Sequence, residues 1–452
     1  MFNSKLLFLK QKKILNLAKN FNSKLKKTDN LGSNPLSYMT TWVKTPGYYN
    51  LKKLRGIKEK GKFNFFLKDI LSIAKLHDLE IIGKLSSLKK NSNLVISYSV
   101  KQNFKKNGIY YDEYFGTLTK KKNFVWILIS LDNFEPKNLK DDIIIIKKKK
   151  AKSISVYYLI KNFFFALLNF FNSKNKNFYY LFNYHYLFSK NLNSLIENFF
   201  KNKNFKNVLI NYESIPFQNN LIDTFKSMNK KAKFFCYLHC APWPMQTEFI
   251  YKQKKIDTLI LSSFDQKKVL IKYYNWPVKK IKVIPSLRFK KNIKNFYGGY
   301  LFMPFEIPDK EKLFDKIEIF LKSTAQNSLS KLKVSIHPLN RNSNTHNELR
   351  KKIMFLFKKY KSKFKNKLKN KNSIIFGNAT GVCVQSLEEG NKVFHIPNDI
   401  ETDVFCNKIW KNISVKQFNK YTYIYEIINK SRLFNVNNQK KKFERYIIPL
   451  IK

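Results

Sequence analysis

From residue 300 to residue 396 the chain alternates short apolar runs with helical stretches, and this alternation restricts the fold more than any other feature. Apolar runs at 300–305, 332–336, 373–376 and 392–396 are separated by helical periodicity at 309–324, 347–363 and 381–389. A strand that must bury both faces reads as a continuous apolar run, and a helix between two such strands carries the chain back across the sheet. The pattern therefore predicts a doubly wound parallel sheet.

The middle of the chain repeats the pattern less regularly. Strands are expected at 207–212, 233–238, 258–262 and 280–284, with helices at 218–228 and 265–274. Upstream, 93–99, 124–131 and 143–146 read as buried strands, and 154–172 and 178–200 as helices. Residues 65–77 have helical periodicity, and 38–50 hold a Trp-Val-Lys-Thr-Pro-Gly turn. The expected fold class is α/β, with two Rossmann-like doubly wound domains facing a cleft. The hinge falls in 285–299, so the domains are 1–290 and 291–452. Residues 1–90 either belong to the first domain or form a separate element.

Composition narrows the class. With 44% hydrophobic and 16% aromatic residues there is ample material for a core. The formal charge of +57 invites a polyanion partner. The excess is almost all Lys, spread along the chain among Asn, Ile, Phe and Tyr, residues that share A/T-rich codons. A coding bias accounts for that pattern, and no Arg-rich arm, zinc finger or RNA-binding aromatic signature accompanies it. No specific nucleic acid is expected, although the charge suits contact with an anionic membrane surface. Four Cys make no disulfide framework and fit a reducing compartment. Cys236, His239 and Cys240 lack a second ligand pair, so no metal site is expected there. The apolar stretches of residues 1–20 are too short for a signal peptide. The most apolar segment, 156–171, is interrupted by Lys161, Asn162 and Asn169. It reads as a buried or interfacial helix, not a span.

Two turns carry the chemistry. His337-Pro338 ends one predicted strand, and Gly377-Asn378-Ala379-Thr380-Gly381 joins another to a helix. Ligands in open α/β sheets bind past the carboxyl ends of strands, and the free N–H groups of a helix N-terminus suit phosphate. Asn378, Ala379, Thr380 and Gly381 are small or hydroxyl-bearing and let backbone approach a ligand. Glu388 and Glu389 end that helix before Gly390. Carboxylates are mildly disfavoured at such an end, which marks them as candidates for a ribose hydroxyl. In the first domain, Glu213 and His239 each follow a predicted strand, and either could deprotonate an acceptor. Trp243 and Trp276 are candidates for stacking on a sugar. Arg288, in the hinge, adds charge to the cleft.

The His-Pro followed by a small/hydroxyl turn resembles the motif pair of bacterial sialyltransferases, polysialyltransferases and CDP-glycerol glycerophosphotransferases, glycosyltransferases of the two-domain GT-B type. The resemblance covers the C-terminal third well and the middle third loosely. It implies that His337, with Pro338 fixing its turn, contacts the donor phosphates and stabilises the leaving group, and that Asn378 and Thr380 also bind phosphate. Glu213 resembles the carboxylate base of the sialyltransferase type, and His239 the strand-end histidine of the glycerophosphotransferase pattern. The family turn has Ser-Ser or Ser-Thr where this chain has Asn-Ala-Thr. Asp112-Glu113 resembles the sialyltransferase acidic motif only superficially, since no glycine follows directly. The implied activity moves a sugar or polyol phosphate from a CMP- or CDP-linked donor to a surface polysaccharide, lipopolysaccharide or lipid-linked acceptor. It needs no cofactor beyond the nucleotide-activated donor and no metal. The implied location is the cytoplasm or the inner face of the cell membrane. The alternative is a non-catalytic protein of the same fold that binds glycan or nucleotide.

Overall fold

The computed structural model describes residues 3–28, 46–57, 62–74, 79–83, 92–149, 156–172, 182–290, 298–304, 307, 309–324, 332–337, 340–360, 371–376, 381–428 and 433–452. The chain opens with helices α1 (Ser4–Thr28), α2 (Pro46–Leu54) and α3 (Lys62–Ala74). Strands β1 (Leu79–Ile82) and β2 (Asn93–Ser99) follow, then a small hairpin of β3 (Tyr111–Asp112) and β4 (Thr117–Leu118). Next come β5 (Phe124–Ser130), β6 (Ile143–Lys148), α4 (Val156–Asn172) and α5 (Tyr184–Phe200). The first unit continues with β7 (Asn207–Asn211), α6 (Pro216–Met228), β8 (Lys233–Tyr237), β9 (Thr258–Leu261), α7 (Phe264–Tyr274) and β10 (Ile281–Val283).

These strands form a sheet ordered β1-β6-β5-β2-β7-β8-β9-β10, parallel except for β1 at one edge. Its residues sort by strand periodicity into two cores. Leu94, Ile96, Val125, Ile127, Ile144 and Ile146 face one way, toward α5 and α6. Val95, Trp126, Leu128, Ile143 and Ile145 face the other. Burial on both faces is why the strands read as unbroken apolar runs.

The second sheet contains β11 (Gly298–Phe302), β12 (Leu332–Ser335), β13 (Lys371–Phe376), β14 (Lys392–Ile396), β15 (Ile413–Asn419) and β16 (Thr422–Ile427). Its order is β12-β11-β13-β14-β16-β15. The first four are parallel, and the β15–β16 hairpin adds antiparallel to β14. Helices α8 (Lys310–Thr324) and α9 (Asn344–Tyr360) supply the core on one face through Ile317, Phe320, Leu349 and Ile353. Helix α10 (Gly381–Glu388) joins β13 to β14, and the short α11 (Ile400–Asp403) follows. The α/β class and the parallel cores agree with the sequence pattern. The antiparallel edge strand β1 and the β15–β16 hairpin add to it.

Three segments tie the units together. Helices α12 (Lys442–Tyr446) and α13 (Ile448–Ile451) lie on the first sheet, where Phe443, Ile447 and Ile451 join Val95, Trp126 and Phe115. Helix α1 buries Leu7, Gln11, Ile14, Leu15 and Ala18, a one-faced helical spacing. Gln11 donates to the carbonyls of Glu401 and Val404. Lys52 of α2 and Arg55 directly after it hold Asp399 at 2.7 and 2.6 Å. The turn expected over 38–50 falls largely outside the described residues. Where it is described, Pro46 opens α2 instead, because a proline's fixed φ and missing N–H suit a first helical turn.

Candidate active site

In the first sheet β2 sits where the strand order divides. From β2 the chain runs to β5 and β6 on one side, and from β7 it runs to β8, β9 and β10 on the other. The carboxyl ends of β2 and β7 therefore open a crevice. Glu213 stands two residues past β7. Ser214 then adopts a left-handed φ of 60°, a conformation that costs a non-glycine residue energy. Its hydroxyl, bonded to the Glu248 carbonyl at 3.0 Å, helps hold that turn, and Pro216 starts α6 directly after. The Glu213 N–H donates to Gln218 Oε1 at 2.8 Å, and Gln218 Nε2 donates to Tyr98 at the end of β2. Glu213 is thereby fixed from both strands.

His239 follows β8, the neighbour of β7. Its Nε2 lies 3.3 Å from Glu213 Oε1 and 3.2 Å from Cys240 Sγ, while the Cys240 thiol donates to Glu213 Oε1 at 2.6 Å. Tyr114, from the turn between β3 and β4, packs edge-on against the imidazole at 4.6 Å. The imidazole is 5% exposed and the carboxylate 14%, so the carboxylate is the more open to a ligand. Burial raises the Glu213 pKa, opposed by the Cys240 hydrogen bond and the positive charge of Arg288. Burial, helped by Arg288, holds the His239 pKa well below the usual histidine range. Burial and the adjoining carboxylate push the Cys240 thiol up, so it remains a proton donor. Although Glu213 and His239 are spaced like an ion pair, both shifts disfavour charge. Burial thus favours the neutral imidazole and raises the carboxyl's affinity for a proton.

Arg288 follows β10, with its guanidinium 5.0 Å from the Tyr114 ring and 5.2 Å from Phe289. Its charge acts on Glu213, His239 and Cys240, and also on His337 of the second sheet. His337 stands two residues past β12, partly open to solvent, and its carbonyl accepts from Asn340 N–H at 2.8 Å. Partial burial, then the charges of Arg288 and His346, hold its pKa below the usual value. At the start of α10, a Cβ built on Gly381 would lie 3.5 Å from the Phe289 ring and 3.8 Å from Ala241 Cβ. The first turn of α10 thus faces the loop carrying His239 and Cys240.

Glu213, His239, Arg288, His337 and Gly381 follow five different strands, and the Arg288 charge acts on Glu213, His239 and His337 alike. Pro338, Asn378, Ala379 and Thr380 lie outside the described residues. Glu388 and Glu389 line a pocket with Gln385 and Val436. Glu388 also accepts the Phe434 N–H at 2.8 Å, and Glu389 accepts from Gln385 at 3.1 Å. Trp276 does not reach a ligand: it is 2% exposed and its indole N–H donates to the Phe249 carbonyl. Trp243 is half-buried against Phe249. Asp112 is buried and accepts the Phe115 N–H, a turn-forming role.

Glu213, His239 and Cys240 carry ligand atoms within 4.8 Å of one another, a set chemically able to hold a divalent cation. Cys236 lies within the β8 core and outside this set. Mutual hydrogen bonds already use these atoms, and Arg288 opposes a second positive charge. Sequence reasoning weighed Cys240 only as a metal ligand and passed over Tyr114. Cys240 was signalled by its place beside His239, but nothing local distinguishes Tyr114, which comes from a distant hairpin.

No protein-family model matches this chain, and no curated protein matches it in sequence. Among solved structures it is similar to a glycosyltransferase from Rickettsia africae, with 13% identity over 70% of this chain and 86% of that one and a TM-score of 0.33. It is similar to a UDP-GlcNAc 2-epimerase from Neisseria meningitidis bound to UDP-GlcNAc, with 11% identity over 69% and 84% and a TM-score of 0.35. A wall teichoic acid polymerase shares 12% identity over 76% and 78%, with a TM-score of 0.32. Likenesses this slight carry no argument about activity, and the fold is read from the strand order itself.

Proposed function

We propose that this chain is a GT-B glycosyltransferase, with a nucleotide-activated donor held by the second sheet and an acceptor presented to the first. The observation that carries the reading is the approach of the α10 N-terminus to Ala241, at 3.8 Å from a Cβ on Gly381. It brings a helix N-terminus, whose free N–H groups suit phosphate, to the loop of His239 and Cys240.

In this reading Glu213 is the base. Burial raises its pKa and so strengthens it as a base, whereas burial lowers that of His239 and weakens the imidazole. The acceptor O–H gives its proton to the Glu213 carboxylate. The acceptor oxygen bonds to the anomeric carbon as the bond to the nucleotide phosphate breaks, and that electron pair leaves on the phosphate. Arg288, His337 and the N–H groups of α10 offset the charge that develops there. For a polyol-phosphate donor the same base takes the acceptor proton, the acceptor oxygen bonds to phosphorus as the anhydride bond to the nucleotide breaks, and the nucleotide leaves as its monophosphate. His239 and Cys240 position the carboxylate, and Glu388 and Glu389 offer acceptors to a ribose. The donor class proposed is CMP- or CDP-linked, in keeping with the His337 motif, and the acceptor is a surface glycan or its lipid-linked precursor. No metal is assigned to the reaction.

The test is thermal stabilisation by CMP, CDP, UDP and GDP, on wild type and His337→Ala. A nucleotide at about 100 times its dissociation constant adds ~2.7 kcal/mol. Stabilisation by a cytidine nucleotide that His337→Ala abolishes is the expected result. Stabilisation by none, with the variant identical to wild type, overturns the reading.

A further inference from the structure

Helix α4 turns apolar side chains both inward and outward. Ala166 and Asn162 are buried, and Tyr158, Leu159 and Phe165 pack on the small core under α4 and α5. The opposite face carries Tyr157, Ile160, Phe164, Leu168 and Phe171, exposed by 74, 49, 57, 64 and 66%. Their spacing draws one stripe along the helix, interrupted only by Lys161. Leu67 and Leu71 on α3, which packs beside α4, are also exposed and widen the patch. Scattered exposed hydrophobics need no explanation, but a contiguous stripe of this kind marks a docking surface.

The sequence that carries α4 is basic, although Lys147 is held between Glu80 and Glu135, and this bias favours an anionic occupant. From residue 143 to residue 206 the sequence holds twelve Lys and one acidic residue, Glu197. An apolar helix face set in a basic segment matches acyl chains below anionic headgroups. No helix among the described residues is long and apolar enough to cross a membrane, so α4 would lie in the interface. We propose that α4 docks the protein on an anionic lipid bilayer, its outer stripe inserted among the headgroups. This extends the functional reading and does not depend on it.

The placement of α4 also bears on the cleft. Asn191 on α5 donates to Tyr158 of α4 at 2.8 Å, and Phe188 of α5 packs on Phe217 of α6, which packs on Tyr98 at the end of β2. The same Tyr98 accepts from the Gln218 that fixes Glu213. The docking helix is therefore joined, side chain to side chain, to the crevice end of the first sheet, where a lipid-linked acceptor would arrive.

The experiment is co-sedimentation of the full chain with vesicles of phosphatidylcholine mixed with phosphatidylglycerol, against phosphatidylcholine alone. Wild type should bind the anionic vesicles, and more weakly as salt rises. Phe164→Glu with Leu168→Glu should weaken binding by at least about tenfold. Phe355→Glu, on an equally exposed Phe of α9, should leave it unchanged. Unaltered melting curves show that the variants fold. Failure of wild type to sediment with anionic vesicles, or equal binding by the α4 variant, overturns the proposal. So does a wild-type dimer that the α4 substitutions dissolve without any vesicle binding. Vesicle binding with no response to nucleotides would instead overturn only the transferase reading.

Discussion

Glu213 and His239 meet at 3.3 Å across the ends of neighbouring strands, carboxylate oxygen to Nε2, while the imidazole Nδ1 has no hydrogen-bond partner among the described residues. A relay would engage both ring nitrogens, one with each partner. Here Glu213 and Cys240 share a single nitrogen, so the ring buttresses the carboxylate and does not pass a proton along.

Glu213→Gln keeps the shape and removes the base. Turnover should fall by about 10²–10⁴-fold with nucleotide affinity unchanged. Steady-state kinetics beside calorimetric titration of the nucleotide separates the two. Equal losses in both would show that Glu213 binds donor.

The pH profile of kcat should have an acid limb above the ordinary carboxylate range, because burial raises the Glu213 pKa. Activity is present above that pKa and disappears as pH falls through it. The Cys240 thiol donates to the charged carboxylate and holds its pKa down. Cys240→Ala should therefore move the acid limb to higher pH. A limb that stays in place would mean another group titrates.

Arg288→Gln should weaken nucleotide binding and kcat/KM by roughly tenfold or more, with Arg288→Lys intermediate, since lysine keeps the charge but loses the planar contact with Tyr114. Dialysis against a chelator should leave turnover unchanged if this guanidinium and the α10 N-terminus neutralise the phosphates. Activity restored only by an added divalent ion would assign the Glu213, His239 and Cys240 set to a metal.

Asp399 anchors the N-terminal helices to the second unit. Burial would raise its pKa, but Arg55 and Lys52 outweigh that and hold it at about 2. A depressed carboxylate pKa contributes stability that is complete above the unfolded value and lost as pH falls through the folded one. The contribution is about 2 kcal/mol, lost between roughly pH 4 and pH 2. Asp399→Asn should cost about 2–4 kcal/mol near neutrality, because two partly buried cations lose their partner. Urea melts across pH measure both effects.

Gly116 has φ of +61°, and a Cβ there would stand 2.5 Å from the Leu287 carbonyl, directly before Arg288. Gly116→Ala should cost about 1–3 kcal/mol. It should also lower activity by displacing Tyr114 and Arg288 together. Unchanged melting and turnover would show that the hairpin docks loosely.

Much of this architecture is written locally. The parallel strands are buried on both faces, so they appear as apolar runs, and β2, β8 and β14 lie within a residue of their expected bounds. The strand-end positions of Glu213, His239 and His337 follow from those runs. Tertiary structure decided the rest. Helix α1 was passed over because its buried stripe of Leu7, Ile14, Leu15 and Ala18 is diluted by Lys, and only the partner surface at Glu401 and Val404 shows which face is inside. Trp276 looked free to stack on a sugar, yet the core claims it, since no sequence pattern reports the distance to Phe249. Strand order decided which ends meet. Glu213 and His239 are neighbours because β7 pairs with β8, while Tyr114 and Arg288 arrive from a hairpin and from the loop after β10. The apolar run at 156–171 fixed a helix from composition. That its outer stripe faces water, and not a second layer of protein, depends on how much surface α3 and α5 cover. Local sequence sets periodicity and chain reversal, whereas pKa shifts, burial and the meeting of side chains depend on contacts between distant residues that only the folded chain brings together.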